Sequence, residues 1–206
     1  MNNLELTIYK LIAREVEIHE FEQWVYSEKS LEDLLNSEEY LSLISLSYKQ
    51  PSSLYEAEKI LKRYIDVGKY YDWYLRRVLQ KIIEHPNDVH KYIEQCYDMY
   101  CDGYSFLDNL GLGYGLAITV PPSKYNAGTW DKLESPEQKM LIEGFYPDVL
   151  NEAEKVIRWL DTKKIILTGH DGTYQGVQYS DSREPEEKEP TGYKVATPTK
   201  KWWKLW

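Results

Sequence analysis

The sequence has few cysteines and no long apolar run. Cys96 and Cys101 are the only two thiols among 206 residues. Their spacing near one helix end turns the side chains in different directions, so they are not expected to pair. No apolar run approaches the ~18 residues that can span a bilayer, and no signal peptide precedes the first predicted helix. These features predict a cytoplasmic protein without integral membrane association.

Basic residues and phenylalanine are also scarce. The 34 acidic side chains outnumber the 25 basic ones and give a net charge of −9. This balance argues against nucleic acid as a ligand, because phosphates require Lys and Arg. It suits a basic protein partner, although acidic charge also serves solubility alone. Nineteen Tyr and seven Trp stand against three Phe, a bias typical of partner interfaces or of a core that uses Tyr in place of Phe.

The sequence contains no recognisable catalytic motif. No Ser, Cys or Lys stands in a nucleophile motif. The run Gly111–Gly115 is rich in glycine, but a nucleotide-binding loop follows a strand and opens a helix, whereas this run precedes a predicted strand. We therefore interpret it as a turn and strand entry. Neither a catalytic residue nor a cofactor is predicted.

Metal-ligating residues are few. His90, Cys96 and Cys101 lie on one predicted helix, but their spacing is not that of a zinc site. Cys96 falls on the apolar stripe of that helix, where burial as a small hydrophobic residue is expected. His170 and Asp171 suit a hairpin turn better than a metal site, which needs three or four ligands. No metal is expected.

Apolar residues recur at helical spacing through most of the chain. Helices are predicted at residues 4–16, 17–26, 31–35, 40–46, 54–65, 71–82, 89–100, 135–144 and 147–160. Strands are predicted at residues 114–120, 164–168 and 173–179, the last two as a hairpin. This pattern predicts an α+β fold with a mostly helical N-terminal layer and a small antiparallel sheet of about three strands in the C-terminal half.

We predict one domain over residues 1–180, in which residues 1–105 form the helical part and 106–180 the mixed part. Residues 181–190 are charged and contain two prolines, which is typical of a linker. The chain then reaches Lys200–Trp206, with three Lys and three Trp. Three Trp in water favour aggregation, so we expect this tail to dock on the body or on a partner. The alternative is a membrane interface or nucleic acid.

The stretch Glu15–Glu39, called the acidic segment below, is the most biased part of the sequence. It holds nine acidic residues and one Lys, with aromatic residues between them. Complementary charge accelerates encounter with a basic partner, and aromatic residues supply binding energy. The alternative is a solvated outer face with Phe21 and Trp24 in the core. The candidate partner-binding residues are Glu20, Glu22, Tyr26, Glu32 and Asp33.

Part of the acidic segment resembles a known class of proteins. From Phe21–Tyr26 through Leu31–Leu35 to Leu43–Leu46, the chain resembles the opening segment of small acidic bacterial proteins that look like immunity proteins encoded beside toxins. The resemblance implies a cytoplasmic, non-enzymatic protein that binds and blocks a basic toxin domain. Two alternatives remain from the sequence: an enzyme that uses carboxylates in a cleft, and a phage-derived structural module.

Overall fold

The computed structural model describes residues 3–170 and 177–189, and it confirms the predicted α+β class. The described residues form eleven α-helices and one two-stranded antiparallel sheet. The chain divides into two compact units, unit 1 from Met1 to Tyr70 and unit 2 from Tyr71 to Trp206. None of the helices in the described part is long and apolar enough to cross a bilayer.

Unit 1 is built from short helices around an apolar core, and each helix predicted before residue 62 is confirmed. Burying a side chain of Leu or Phe size contributes roughly 1.5–3 kcal/mol. Packing of the inward stripes therefore holds these helices, which are too short to be stable alone. The helices are α1 (Asn3–Ile12), α2 (Ile18–Ser27), α3 (Ser30–Leu34), α4 (Ser37–Ile44) and α5 (Ser52–Leu61). The core includes Ile8, Leu11, Phe21, Val25, Leu31, Leu43, Ala57 and Leu61.

Unit 2 contains the longer helices and the sheet. The division between the units falls within the residues of helix α6 (Val67–Glu84). The remaining elements are α7 (Val89–Cys101), α8 (Leu116–Thr119), α9 (Ser135–Glu143), α10 (Asp148–Asp161), β1 (Ile165–His170), β2 (Val177–Asp181) and α11 (Pro185–Lys188). The predicted α7, α9 and α10 are confirmed. Their core residues include Val89, Ile93, Cys96, Leu141, Val149, Ala153, Val156 and Leu160.

The predicted strand at residues 114–120 is wrong. Asn109–Gly115 forms a π-helical segment that runs directly into α8. The glycines at 111 and 115 lie four residues apart and carry no side chain, so the segment packs with its backbone against α7. Leu110, Tyr114, Ala117 and Ile118 then enter the core as part of this helical stretch. The interpretation of Gly111–Gly115 as a turn and strand entry is wrong for the same reason.

Among the described residues, the sheet consists of the predicted hairpin alone. It therefore has two strands, and the prediction of about three strands is wrong. β1 pairs with β2 in antiparallel register, with Ile165 opposite Asp181. A bulge interrupts the ladder just before Gly169, whose φ of +145° is rarely adopted by residues with a side chain. Of the predicted turn residues, Gly169 and His170 belong to β1 instead, and Asp171 lies outside the described residues.

Residues 181–189, predicted as part of a linker, belong to the fold of unit 2. Arg183 is only 9% exposed, and its guanidinium lies 4.4 Å from the ring centre of Trp159. The same group donates hydrogen bonds of 2.9 and 3.0 Å to the carboxylate of Asp181. The charged composition indicated a linker because a sequence does not show which of its charges pair with one another.

Helix α11 is held by the same part of unit 2. Glu187 accepts a hydrogen bond of 3.2 Å from the indole nitrogen of Trp159 and one of 2.6 Å from the ammonium of Lys164. Pro at the first helical position and a capping box formed by Glu184 and Glu187 start this short helix. The tail Lys200–Trp206, predicted to dock on the body or a partner, lies outside the described residues.

Candidate functional sites

The acidic segment occupies α2, α3 and the start of α4 in unit 1. The candidate residues are exposed or half-buried: Glu20, Glu22 and Tyr26 on α2, and Glu32 and Asp33 on α3. Helix α2 turns Phe21 and Val25 into the core. Because the helical period separates an inner from an outer face, the acids of α2 are directed away from that core.

Tyr26 is the most exposed aromatic residue of the acidic segment. Its side chain is 61% exposed, yet its hydroxyl donates a hydrogen bond of 3.3 Å to the carbonyl of Ile44. Its ring meets the ring of Tyr48 edge-on at 6.4 Å. Phe21 is fully buried and Trp24 is half-buried against the same core. Of these aromatic residues, Tyr26 is therefore the one that is oriented by its neighbours and still open to solvent.

Ion pairs in unit 1 neutralise some acids of the segment and leave others free. Arg63 lies 2.8 Å from Glu39, which also accepts a hydrogen bond from the hydroxyl of Tyr64. The three candidate acids that are exposed, Glu20, Glu32 and Asp33, form no ion pair within residues 3–170 and 177–189. Unit 1 has thirteen acidic and eight basic side chains. Part of this surplus charge is therefore displayed on α2 and α3 without a counter-ion from the described protein.

The candidate residues do not all share one side of unit 1. Glu22 and Tyr26 are four residues apart on α2, so they lie on one face. Burial first, and then the charges of Tyr26 and Glu22, raise the pKa of Tyr48, which shows that both lie near it. Glu20 is two residues from Glu22 and is turned to another side of the helix. Within the described ranges, no hydrogen bond or ion pair joins the two acids of α3 to the pair on α2.

Unit 2 contains a cleft that the sequence analysis did not predict. It has a volume of about 460 Å³ and is lined by the connection between α6 and α7, by the turn at Trp130 and by α9. Small-molecule sites in proteins span about 300–1,000 Å³, so the cleft has the size of such a site. We call it the His90 cleft. Its lining includes His85, Asn87, Val89, His90, Trp130, Ser135, Gln138 and Ile142.

Two stacked rings form one part of the His90 cleft. The imidazole of His90 lies parallel to the indole of Trp130, with ring centres 4.6 Å apart and 15° between the planes. The amide nitrogen of Gln138 donates a hydrogen bond of 3.2 Å to the carbonyl of Trp130 and ties this turn to α9. Burial, and then the charge of Lys91, lower the pKa of His90 despite two nearby carboxylates. The environment of the imidazole therefore favours its neutral form.

Charged groups contribute little to the His90 cleft. Lys139 and Glu143 lie on its rim with nitrogen and oxygen 3.7 Å apart, and their side chains are 76% and 63% exposed. In the part of the chain that the structure describes, no group of three His, Cys, Asp or Glu could hold a metal ion. Burial is the main cause of raised pKa values at three carboxylates, Glu94, Asp98 and Asp108. None of these three lines the cleft.

The sequence carries no local signal for this cleft. His90 and Trp130 are forty positions apart, and neither belongs to a motif. Their stacking depends on how the connection after α8 returns to α7, which is a long-range property of the fold. Comparison with protein-family models, with curated proteins and with solved structures gives no match to this chain. The fold therefore defines the structural class, α+β. Inference about function rests on the chemistry of the two candidate sites alone.

Proposed function

We propose that this protein is a non-catalytic binding protein whose unit 1 docks on a basic protein surface. The observation that carries this proposal is the set of exposed carboxylates on α2 and α3, Glu20, Glu32 and Asp33, which have no ion pair within the described residues. They accompany the exposed, oriented ring of Tyr26. Unpaired charges and an oriented aromatic residue are the groups that recognise a surface of opposite charge.

The carboxylates act mainly on the rate of encounter. An exposed ion pair contributes only about 0–1 kcal/mol, so three or four of them cannot hold a tight complex by themselves. Their summed field reaches about one Debye length, roughly 8 Å at physiological salt, and steers an approaching basic partner. We therefore expect fast, salt-sensitive association with a dissociation rate set by other contacts.

Tyr26 is suited to supply such a contact. Binding energy concentrates in a few aromatic residues that lose little freedom when they are buried. The hydrogen bond to Ile44 and the edge contact with Tyr48 already restrict the Tyr26 ring. Glu22, one turn earlier on the same face, adds a charge beside it. The pair Glu22 and Tyr26 forms the proposed contact, and the other acids of α2 and α3 contribute through their charge to the steering of the partner.

The partner class that fits best is a basic toxin domain, which makes the protein an immunity protein of the bacterial cytoplasm. Support comes from the acidic surface described above and from the resemblance of Phe21–Leu46 to immunity proteins. Blocking a toxin requires one-to-one binding and no chemistry on the inhibitor. A carboxylate enzyme and a phage-derived module receive no comparable support from the described residues.

The proposal is tested by association kinetics with the partner captured from the native host and identified by mass spectrometry. The variant Glu20→Lys, Glu22→Lys, Glu32→Lys and Asp33→Lys, all four together, should slow association at low salt at least tenfold and weaken its dependence on salt. A control changes four acids of unit 2 to Lys, the exposed Asp102, Glu186 and Glu189 and the half-buried Glu154, and alters net charge by the same amount.

The comparison of the two variants separates location from total charge. If both slow association equally, only the net charge matters and unit 1 is not the docking surface. If the first variant binds as fast as the unaltered protein at low salt, the proposal is wrong. Far-ultraviolet circular dichroism should be unchanged in both variants, because the altered side chains are exposed or half-buried at the helix surface.

A further inference from the structure

The His90 cleft has features that the proposed binding to a basic protein leaves unexplained. It lies in unit 2, whereas the acidic segment lies in unit 1. Its size, its ring surface and its charge each restrict the kind of molecule that it can hold. We propose that the cleft binds a neutral, planar heteroaromatic molecule of one or two rings, which lies against the His90–Trp130 stack and is hydrogen-bonded by neighbouring polar side chains.

The ring surface of the cleft is the reason to expect a planar ligand. Aromatic rings prefer offset-stacked or edge-on contacts with other rings, and flat heterocycles stack on Trp and His side chains in many sites. The stack in this cleft is already formed, with planes 15° apart, and the hydrogen bond from Gln138 holds the Trp130 backbone. A planar ligand therefore meets a preorganised surface, and little freedom is lost on binding.

The balance of charged groups in the cleft is the reason to expect a neutral ligand. Carboxylate and phosphate ligands are bound by Arg forks or Lys clusters, and the cleft offers one Lys, which lies 3.7 Å from the carboxylate of Glu143. The neutral imidazole of His90 supplies one donor and one acceptor. An anion or a cation would meet only Lys139 and Glu143 at the rim, whose charges already offset each other, so its entry is unfavourable.

The polar groups of the cleft that lack a partner are the reason to expect heteroatoms in the ligand. The hydroxyl of Ser135 and the amide of Asn87 line the cleft and make no hydrogen bond with another side chain or backbone group in residues 3–170 and 177–189. Gln138 uses one amide N–H on Trp130 and keeps its carbonyl. Val89 and Ile142 complete the lining with apolar surface. Such a mixture of apolar walls with a few polar groups is typical of a small-molecule site.

The test uses adenine as a neutral planar probe, adenosine monophosphate as its charged counterpart and cyclohexanol as a non-planar one. Each is titrated into the full chain and followed by amide and indole chemical shifts in two-dimensional NMR spectra. Adenine should give saturable shifts at the signals of His90, Trp130 and Ser135, and adenosine monophosphate should bind at least tenfold more weakly. Cyclohexanol should give no saturable shift.

Two variants locate the site. His90→Ala should weaken adenine binding at least tenfold, whereas His19→Ala, which removes an exposed imidazole of unit 1, should leave it unchanged. Absence of saturable shifts with adenine overturns the proposal. So does equal binding of adenosine monophosphate, or adenine binding that survives His90→Ala in folded protein.

Discussion

Gly111 lies against Tyr100 of α7 so closely that a Cβ atom on Gly111 would stand 2.6 Å from the Cβ of Tyr100. One turn later, a Cβ on Gly115 would stand 2.8 Å from the carbonyl oxygen of Ile93. Both distances are shorter than any normal contact. The pairing of the π-helical segment with α7 therefore depends on these two glycines.

The first prediction follows from this contact. Ala is favoured over Gly in a helix by about 1 kcal/mol, but overpacking costs about 1–3 kcal/mol. The clash with the α7 backbone should dominate, so Gly111→Ala and Gly115→Ala each lower the free energy of unfolding. The control is Gly128→Ala, because nothing lies within 4 Å of a Cβ there. Urea midpoints measure the effect, and equal midpoints for all three variants would contradict the described packing.

The second prediction concerns the two thiols. Both are free in the structure, with Cys96 fully buried and Cys101 exposed. Burial raises the pKa of Cys96 to about 12, so at pH 8 this thiol is protonated and shielded from reagents. A colorimetric thiol reagent should titrate one thiol in the native protein and two in urea. Native reaction of both thiols would show that the α7 stripe is accessible.

The third prediction concerns the pH dependence of the C-terminal contacts. Burial alone would raise the pKa of Asp181, but the hydrogen bonds and charge of Arg183 outweigh it and the pKa is lowered. A lowered pKa in the folded state stabilises the protein above the ordinary carboxyl pKa, near 4, and this stability is lost as pH falls through the lowered value. Asp181→Asn should therefore flatten the decline of stability in acid.

At pH 7 the same variant should lose about 1.5–3 kcal/mol, the range for hydrogen bonds to charged groups. Asp161→Asn is the matched control, because the ion pair of Asp161 with Arg76 is short, at 2.6 Å, but the Asp161 side chain is 58% exposed. That change should cost no more than about 1 kcal/mol. Guanidinium-induced unfolding at several pH values, monitored by Trp fluorescence, measures the loss of stability in each variant. Equal losses in Asp181→Asn and Asp161→Asn would show that the Arg183 contacts are unimportant.

The fourth prediction concerns the core of unit 2. Ile93→Ala removes a fully buried side chain at the centre of α7 and should cost about 2–5 kcal/mol. Ile157→Ala should cost less, because Ile157 is half-buried. Calorimetric melting temperatures should order the unaltered protein, Ile157→Ala and Ile93→Ala from highest to lowest. The reverse order for the two variants would show that the inward faces of α7 and α10 are assigned incorrectly.

The helices from α1 to α7, together with α9 and α10, were predictable because the spacing of apolar residues is a local property. The hairpin was predictable from two β-rich runs on either side of a turn signal. The acidic segment was also visible, since charge bias needs no knowledge of contacts. Its functional assignment remains a prediction, and the exposure of its acids came from the structure.

The sequence by itself determined the helical class of this protein and the place of its acidic segment, because periodicity and composition act within a few residues. Only the tertiary structure decided that residues 109–119 are helical, since the reason is the approach of Gly111 and Gly115 to α7. The burial of Arg183 against Trp159 and the stacking of His90 on Trp130 were likewise decided there. Each of these contacts joins residues that are distant in the chain, and such pairs meet only when the core is formed.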